Sequence, residues 1–182
     1  SAEILFGDKK YVDVEGKYLF TLESKMPTPP NMVPWPSVFN ESAFFNRSRL
    51  GDSLRIDERL QHYVDFDLMW RLVLEKRNFI RVPEMRGNFR QHPDAKSSRQ
   101  IPVAQREAFE IYKRVLCSGK LEPDYHGVLR HALHVECLND FHAKRYELFC
   151  EHLREYFKIA GVTNISWKLW LRRVWITLFA NA

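Results

Sequence analysis

The chain of 182 residues is 45% hydrophobic and 14% aromatic, a composition that can build a core and excludes an intrinsically disordered protein. Its formal net charge of +5 is mildly basic, which suits nucleotides, phospholipids or acidic glycans as partners, and we expect no nucleic-acid partner. Three widely spaced cysteines without a paired motif exclude a disulfide framework and are typical of a reducing compartment.

The N-terminal part predicts short strands interrupted by a proline-rich segment. Its first residues lack the basic and apolar regions of a secretory signal, which favours a cytoplasmic location. Residues 4–6 and 18–22 predict two strands, joined through a hairpin-like turn at residues 13–16. Five prolines within residues 26–36 exclude a helix or a central strand there. Residues 37–45 predict a strand leading into a short helix, with three side chains pointing inward: Phe39, Phe44 and Phe45.

A helix is predicted from Val64 to Lys76. Three polar residues recur every four positions and predict one solvated stripe on it: Asp67, Arg71 and Glu75. The other positions are almost all apolar, so most of the helix circumference should be buried. Asp67 should therefore face water, whereas Asp65 lies on the packed side. Asp65 then has two interpretations, a cap for free backbone N–H groups at the helix start or a general base in a partly desolvated cleft.

After this helix the pattern changes to an extended chain. Residues 79–83 predict a short strand, and residues 85–90 alternate apolar and polar side chains with the period of a strand. Arg90 and His92 share the polar side, and a polar loop follows at residues 94–98. Cationic and hydroxyl side chains at a strand end favour a phosphate or metal-diphosphate site, with an ordinary solvated loop as the alternative.

The second half of the chain predicts three helices. Pro102 and Gly119 bracket the first, Pro123 opens the second, which should break near Asn139, and Gly161 ends the third. The second helix carries closely spaced histidines and a cysteine, for which a zinc site and ordinary core or surface roles are the two interpretations. These residues are His126, His131, His134, Cys137 and His142.

The tail at residues 165–179 combines three tryptophans with Lys168, Arg172 and Arg173. It is too short and too charged to span a bilayer, which needs about 20 apolar residues. Two structures remain for it. One is an amphipathic helix resting on an anionic membrane face, and the other is a terminal helix docked on the helices before it.

The order of several motifs along the chain carries a family resemblance. The motifs are LFGD at residues 5–8, PWPSVF at 34–39, FFNR at 44–47, IDERL at 56–60, DFDLMWRL at 65–72, VPE at 82–84, FRQH at 89–92 and KSS at 96–98. Together they resemble the C-terminal half of family 2 glycosyltransferases of the GT-A fold, over residues 3–98. The nucleotide-binding half of the family and its metal-binding Asp-x-Asp motif are not part of the resemblance, so we expect this chain alone to transfer no sugar.

The resemblance implies an α/β fold, or α+β when that half is missing. Residues 1–98 would be the acceptor-side half of a GT-A domain, and residues 99–182 a helical extension. The implied reaction is an inverting transfer of a sugar from a nucleotide-sugar donor to a glycan or lipid-linked acceptor, in cell-surface polysaccharide synthesis. A lipid-linked acceptor favours contact of residues 165–179 with the inner membrane face. Strands cut from their sheet would expose edges that favour a homodimer.

The resemblance also assigns roles to single residues. Asp65 would be the general base, and His92 would bind the diphosphate or a divalent metal, Mn²⁺ or Mg²⁺, that offsets its charge. Three further residues would surround the leaving group: Arg90, Lys96 and Ser97. Trp35 would stack on a sugar or, alternatively, fill an edge of the core. A binding or scaffold module built on the same fold, with Asp65 only as a cap, is the alternative function.

Overall fold

The fold is seen in a computed structural model that describes residues 2–33, 37–92 and 101–160, without the side chains of Met85 and Arg86. Two compact units divide the chain between Glu107 and Ala108. The first unit is built on a mixed sheet, and the second is helical. The chain is therefore a mixed α/β protein with an open sheet, as predicted, while the GT-A assignment stays a proposal.

The sheet of the first unit is organised around one central strand. Strand β1 (Ile4–Val12) pairs in parallel with β4 (Phe79–Arg90) along its whole length. On its other side, β1 pairs antiparallel with β3 (Ala43–Phe45) near its start and with β2 (Tyr18–Leu22) near its end. The predicted hairpin is confirmed, although its first strand continues to Val12 instead of ending at residue 6. Residues 79–83 and 85–90, predicted separately, belong to the one strand β4.

A polar contact ties the hairpin to β4 on one face of the sheet. The carboxylate of Asp8 is buried and accepts hydrogen bonds from the backbone N–H of Ser24 (2.9 Å) and from Arg81 Nη2 (2.9 Å). Burial alone would raise the pKa of Asp8, but the bonds from Ser24 and Arg81 outweigh it and hold this pKa below its ordinary value. The ionised carboxylate is therefore the form that the folded chain favours.

The segment before β3 differs from its prediction. A 3-10 helix at Asn40–Ser42 comes first and the short strand β3 follows it, which reverses the predicted order of strand and helix. Phe39 is buried as predicted, whereas the inward position predicted for Phe44 is wrong, because 66% of its surface is exposed. The reason is the strand period, since Phe44 points to the opposite face of β3 from Ala43 and Phe45.

Helix α2 (Val64–Leu74) follows the short helix α1 (Arg47–Leu50) and a 3-10 helix at Gly51–Leu54. Most of its apolar positions are buried as predicted, while Val64, Val73 and Leu74 are half-buried. The solvated position predicted for Asp67 is wrong, because only 4% of Asp67 is exposed. Asp67 pairs with Arg71 (Oδ2 to Nε, 2.9 Å), and Arg71 in turn donates to the carbonyl of Ser53 (3.1 Å). The segment around residue 53 therefore lies against the side of α2 that the sequence pattern assigned to water.

Three longer helices follow. Helix α3 (Ile101–Cys117) begins in the first unit and continues into the second, which also contains α4 (His126–His142) and α5 (Tyr146–Ala160). Helix α4 runs through Asn139 without the predicted break. Spanning a bilayer takes a long apolar helix, and none of the helices in the described ranges provides one.

Candidate active site

The candidate site begins at the first turn of α2, where Asp65 is the second helical residue. Tyr63 occupies the N-cap position and makes no side-chain capping bond. Asp65 Oδ1 accepts a hydrogen bond from the backbone N–H of Phe66 (2.8 Å), and the side chain is half-buried. Asp65 thus satisfies one backbone group of the first turn, as its interpretation as a cap requires, but it does not occupy the N-cap position itself.

Glu107, on α3, fixes the residues that lead into this helix. Its buried carboxylate accepts hydrogen bonds from three successive backbone N–H groups: those of Gln61 (2.6 Å), His62 (2.8 Å) and Tyr63 (2.9 Å). Bonds from N–H groups to an ionised carboxylate are among the stronger hydrogen bonds in proteins. Glu107 therefore holds the backbone immediately before Asp65. Sequence reasoning missed this residue, because no local pattern connects a glutamate on α3 with a segment so far upstream.

The ammonium group of Lys9 approaches the same region from β1. Lys9 Nζ lies 3.7 Å from Glu41 Oε2, and only 15% of the Lys9 side chain is exposed. Three aromatic rings surround the ammonium, with their centroids at 4.7 Å (Phe39), 4.9 Å (Phe89) and 5.3 Å (Tyr11). Rings at this distance attract a cation through their electron-rich faces. The ion pair and the three rings thereby hold the Lys9 side chain in a fixed position.

Gly87 makes the position of Glu41 possible. It lies opposite Lys9 in the register between β1 and β4. A Cβ atom at this position would stand 2.2 Å from the backbone carbonyl oxygen of Glu41 and 2.3 Å from its carbonyl carbon. Only a residue without a side chain therefore lets the 3-10 helix at Asn40–Ser42 lie directly on β4. Sequence alternation identified residue 87 as part of a strand, but not as a point of close approach.

The surroundings of Asp65 disfavour its charged form. Burial raises the pKa of Asp65 above its ordinary value, and the negative charge of Glu41 raises it further. The N–H of Phe66 and the positive charge of Lys9 oppose this shift without cancelling it. The result is a half-buried aspartate with a raised pKa, which is a chemically suitable acceptor for a proton.

Of the other predicted site residues, the structure describes two, His92 and Arg90. His92 is half-buried directly after β4, and among the described residues neither a hydrogen bond nor an ion pair joins it to Asp65. Arg90 is exposed and lies next to Val12 in the register, on the face of β4 opposite Phe89. Trp35, Lys96 and Ser97 lie outside the described residues, as does the tail at residues 165–179.

The predicted metal chemistry has no complete donor set in the described part of the chain. No group of three or more His, Cys, Asp or Glu side chains in that part could hold a metal ion. In α4 the rings of His131 and His134 lie 6.4 Å apart, while His134 meets Tyr156 edge to face at 6.2 Å. The only described residue that the resemblance offers to a divalent ion is His92, and one imidazole is too few ligands for such an ion.

Comparison with protein-family models, with curated proteins and with solved structures finds no match to this chain. The resemblance to family 2 glycosyltransferases therefore rests on the motifs in residues 3–98. What the structure adds is an ion pair between Lys9 on β1 and Glu41 in the 3-10 helix at Asn40–Ser42, whose charges act on the carboxyl group of Asp65.

Proposed function

We propose that residues 1–98 are the acceptor-side half of an inverting glycosyltransferase, with Asp65 as its general base. The observation that carries this proposal is the position of Asp65, half-buried in the first turn of α2, where burial and the charge of Glu41 raise its pKa. Residues that pack only for stability are usually paired more completely than this carboxylate, and perturbed carboxylates concentrate at catalytic sites. The family motif around residues 65–72 supports the same residue independently.

In the proposed reaction, Asp65 takes the proton of an acceptor hydroxyl while that oxygen attacks the anomeric carbon of a nucleotide sugar. The new bond joins the acceptor oxygen to this carbon. The bond from the carbon to the diphosphate breaks, and its electron pair leaves with the nucleoside diphosphate. Attack from the side opposite the leaving group inverts the anomeric configuration. A raised pKa brings the carboxylate closer to the operating pH, where a general base is most effective.

Lys9 and Glu41 act on the charge state of this base in opposite directions. The negative charge of Glu41 raises the pKa of Asp65, while the nearby ammonium of Lys9 acts in the opposite direction and limits the shift. A divalent metal bound with the help of His92 would offset the charge of the diphosphate. Arg90, Lys96 and Ser97 remain the residues proposed to surround the leaving group, and Trp35 a residue proposed to contact sugar.

The acceptor proposed for this site is a glycan or a lipid-linked sugar, as in polysaccharide synthesis at the cell surface. The donor would bind mainly to the nucleotide-binding half of the family, which has no counterpart in these residues. The reaction is therefore proposed for a protein in which such a half precedes this chain, and we expect the 182 residues alone to show no transfer. Contact with the inner membrane face through residues 165–179 belongs to the same proposal.

The test is the substitution Asp65→Asn in a protein that joins both halves, with release of nucleoside diphosphate as the measurement. Loss of a general base lowers turnover by about 10²–10⁴-fold. Asn keeps the shape of the side chain and can still accept the hydrogen bond from Phe66. We therefore expect donor binding and the folded structure to be unchanged while turnover is lost.

A matched control is Asp52→Asn, since Asp52 is a solvent-exposed aspartate in the same unit. Its turnover should equal that of the unmodified protein. Full turnover of the Asp65→Asn protein would remove Asp65 from the proposed role, and the alternative of a binding module would then be favoured.

A further inference from the structure

The turn of α2 that contains Asp65 is held at both of its ends. The carbonyl of Tyr63 accepts a hydrogen bond from the backbone N–H of Asp67 (2.9 Å), which closes the first turn of the helix around Asp65. At the far end of this turn, Asp67 is buried and pairs with Arg71 (2.9 Å). At the near end, Glu107 accepts the N–H of Tyr63 itself (2.9 Å). The position of Asp65 therefore depends on one support from α2 and one from α3.

Core packing fixes the body of α2 but not the segment that leads into it. Residues 66–70 are all buried, so the core holds this part of the helix. Gln61 by contrast is exposed, and His62 and Tyr63 are half-buried, which gives this segment little apolar burial. The start of a helix also loses its order easily when its N–H groups lack partners. The three hydrogen bonds to Glu107 therefore supply a support that apolar burial does not.

The contact requires an ionised carboxylate. One oxygen of Glu107 accepts the N–H of Gln61, and the other accepts those of His62 and Tyr63. An ionised carboxylate only accepts hydrogen bonds, so neither oxygen presents a hydrogen atom to these donors. A glutamine at this position would turn its NH₂ group toward at least one N–H donor. The contact can therefore be broken by a small change at a single side chain.

We propose that Glu107 is a positioning residue for the general base Asp65, and that helix α3 is thereby part of the catalytic machinery. The family resemblance ends at residue 98 and assigns no role to Glu107. A general base works only within hydrogen-bond reach of the proton that it takes, and a misplacement of about 1 Å can lower turnover about 10²-fold. This inference rests on the proposed function, since it takes Asp65 as the base.

A purely structural role of Glu107 predicts a different result. A contact that only joined α3 to α2 would contribute to stability, and its loss would leave the kcat of the folded protein unchanged. A positioning role predicts instead that kcat falls in the folded protein while the KM for the acceptor stays the same. The two roles are separated by measurements made where the variant is folded, which circular dichroism verifies.

The 182-residue chain itself tests the contact through the titration of Asp65. Burial is the largest cause of the raised pKa of Asp65. If Glu107→Ala loosens the first turn of α2, water reaches the carboxyl group, and the pKa of Asp65 should fall toward its ordinary value of 3.8. Carbon-13 NMR of the Asp65 carboxyl group measures this titration. An unchanged pKa of Asp65 in the folded variant would overturn the positioning role.

Turnover is measured in a protein that joins both halves. Glu107→Ala should lower kcat by about ten- to a hundredfold and change the KM for the acceptor by less than about twofold. Acetate has the heavy atoms that this substitution removes, so added acetate should restore kcat in a saturable way. Acetamide has the same shape without the charge and should not restore it. A kcat within about twofold of the unmodified protein, or a loss that acetate does not restore, would overturn the proposal.

Two further variants complete the design. Glu110→Ala, on the same helix, removes only a surface pair with Lys113 and should leave both kcat and the titration of Asp65 unchanged. Glu107→Gln keeps the volume of the side chain and loses one acceptor oxygen. Should Glu107→Ala fail to fold, Glu107→Gln carries the test, and it should show a lowered kcat at an unchanged KM. A full kcat of Glu107→Gln would then refute the positioning role.

Failure of the positioning role can be told apart from failure of the proposed function. If Asp65→Asn abolishes turnover while Glu107→Ala retains full kcat, only the positioning role is refuted. If Asp65→Asn retains turnover, the proposed base is refuted, and the positioning role falls with it whatever the titration of Asp65 shows.

Discussion

Two clusters of charged side chains, one in each unit, differ in how completely their carboxylates are paired. In the second unit Asp140 is fully buried and both of its oxygens are used, Oδ1 by Arg145 (3.0 Å) and Oδ2 by His152 Nδ1 (2.7 Å). The ring of His152 is itself stacked on Phe109 at 3.9 Å. In the first unit Asp65 accepts hydrogen bonds from backbone N–H groups, that of Phe66 at 2.8 Å, and it lies near the like charge of Glu41.

The difference separates a structural role from a chemical one. Complete pairing offsets the cost of removing charges from water, so the Asp140 cluster can serve as part of a core. Incomplete pairing leaves that cost partly uncompensated at Asp65, and a chain would gain stability by removing the charge. The two clusters should therefore respond to substitution with opposite signs.

The largest effect is expected at Asp140. Asp140→Ala leaves the buried His152 and the cation of Arg145 without their acceptor, and breaking a buried pair in this way costs about 3–5 kcal/mol. Urea unfolding combined with hydrogen exchange on α4 and α5 measures the loss. Asp124→Ala, at an exposed aspartate of the same unit, should change stability by less than about 0.5 kcal/mol. Equal stability of the two variants would show that the Asp140 cluster is not structural.

A smaller loss is expected at Gly87, under the cluster of the first unit. The added methyl group of Gly87→Ala would collide with the backbone of Glu41, and such overpacking costs about 3 kcal/mol. Gly127→Ala is the control, because a Cβ at residue 127 meets no atom within 4 Å and the helix there favours alanine. Thermal unfolding should show a lower Tm for the first variant and an unchanged or higher Tm for the second. An unchanged Tm for Gly87→Ala would contradict the close contact between Gly87 and the backbone of Glu41.

Glu107 tests how firmly the start of α2 is held. Glu107→Ala removes the acceptor of three backbone N–H groups, which should cost about 2 kcal/mol and speed hydrogen exchange at residues 61–63. Glu110→Ala, one turn along the same helix, removes only a surface pair with Lys113 and should cost less than about 1 kcal/mol. If exchange at residues 61–63 stays slow in the Glu107→Ala chain, this carboxylate does not position Asp65.

The smallest effect, with the opposite sign, is expected at Asp65. Because its pKa is raised above 3.8, the folded state binds the proton more tightly than the unfolded state and loses stability as pH rises through the raised pKa. Asp65→Asn should therefore stabilise the chain at pH 7, and the gain should vanish below pH 3.8.

Asp8 is the control for this measurement, because its pKa is shifted in the opposite direction. Its pKa is lowered below 3.8, so its contribution to stability is present above that pH and is lost as the pH falls through the lowered pKa. Asp8→Asn should thus destabilise the chain at pH 7, and the two variants should converge in acid. Urea unfolding between pH 2 and 7 measures the stability of both variants. If Asp65→Asn destabilised the chain at pH 7, the charge of Asp65 would not be a cost to the folded state.

The sequence by itself determined the elements that local patterns encode. The hairpin, helix α2, the extended segment after it and the three later helices follow from the periodicity of apolar side chains and from turn residues. The inward position of Asp65 also follows from that periodicity. The pattern failed at Asp67, because the segment around residue 53 comes from elsewhere in the chain and packs beside it. It failed at Phe44, because residues 43–45 form a strand and the strand period turns Phe44 outward.

Only the tertiary structure decided how the candidate site is assembled. Lys9, Glu41, Gly87 and Glu107 belong to different elements, and nothing in their own neighbourhoods of the sequence marks them as partners of α2. Strand pairing and helix packing bring them together, since pairing fixes which side chains lie opposite one another across the sheet. A carboxylate can be located by its period along a helix, but its charge state depends on groups that the chain supplies only after it has folded.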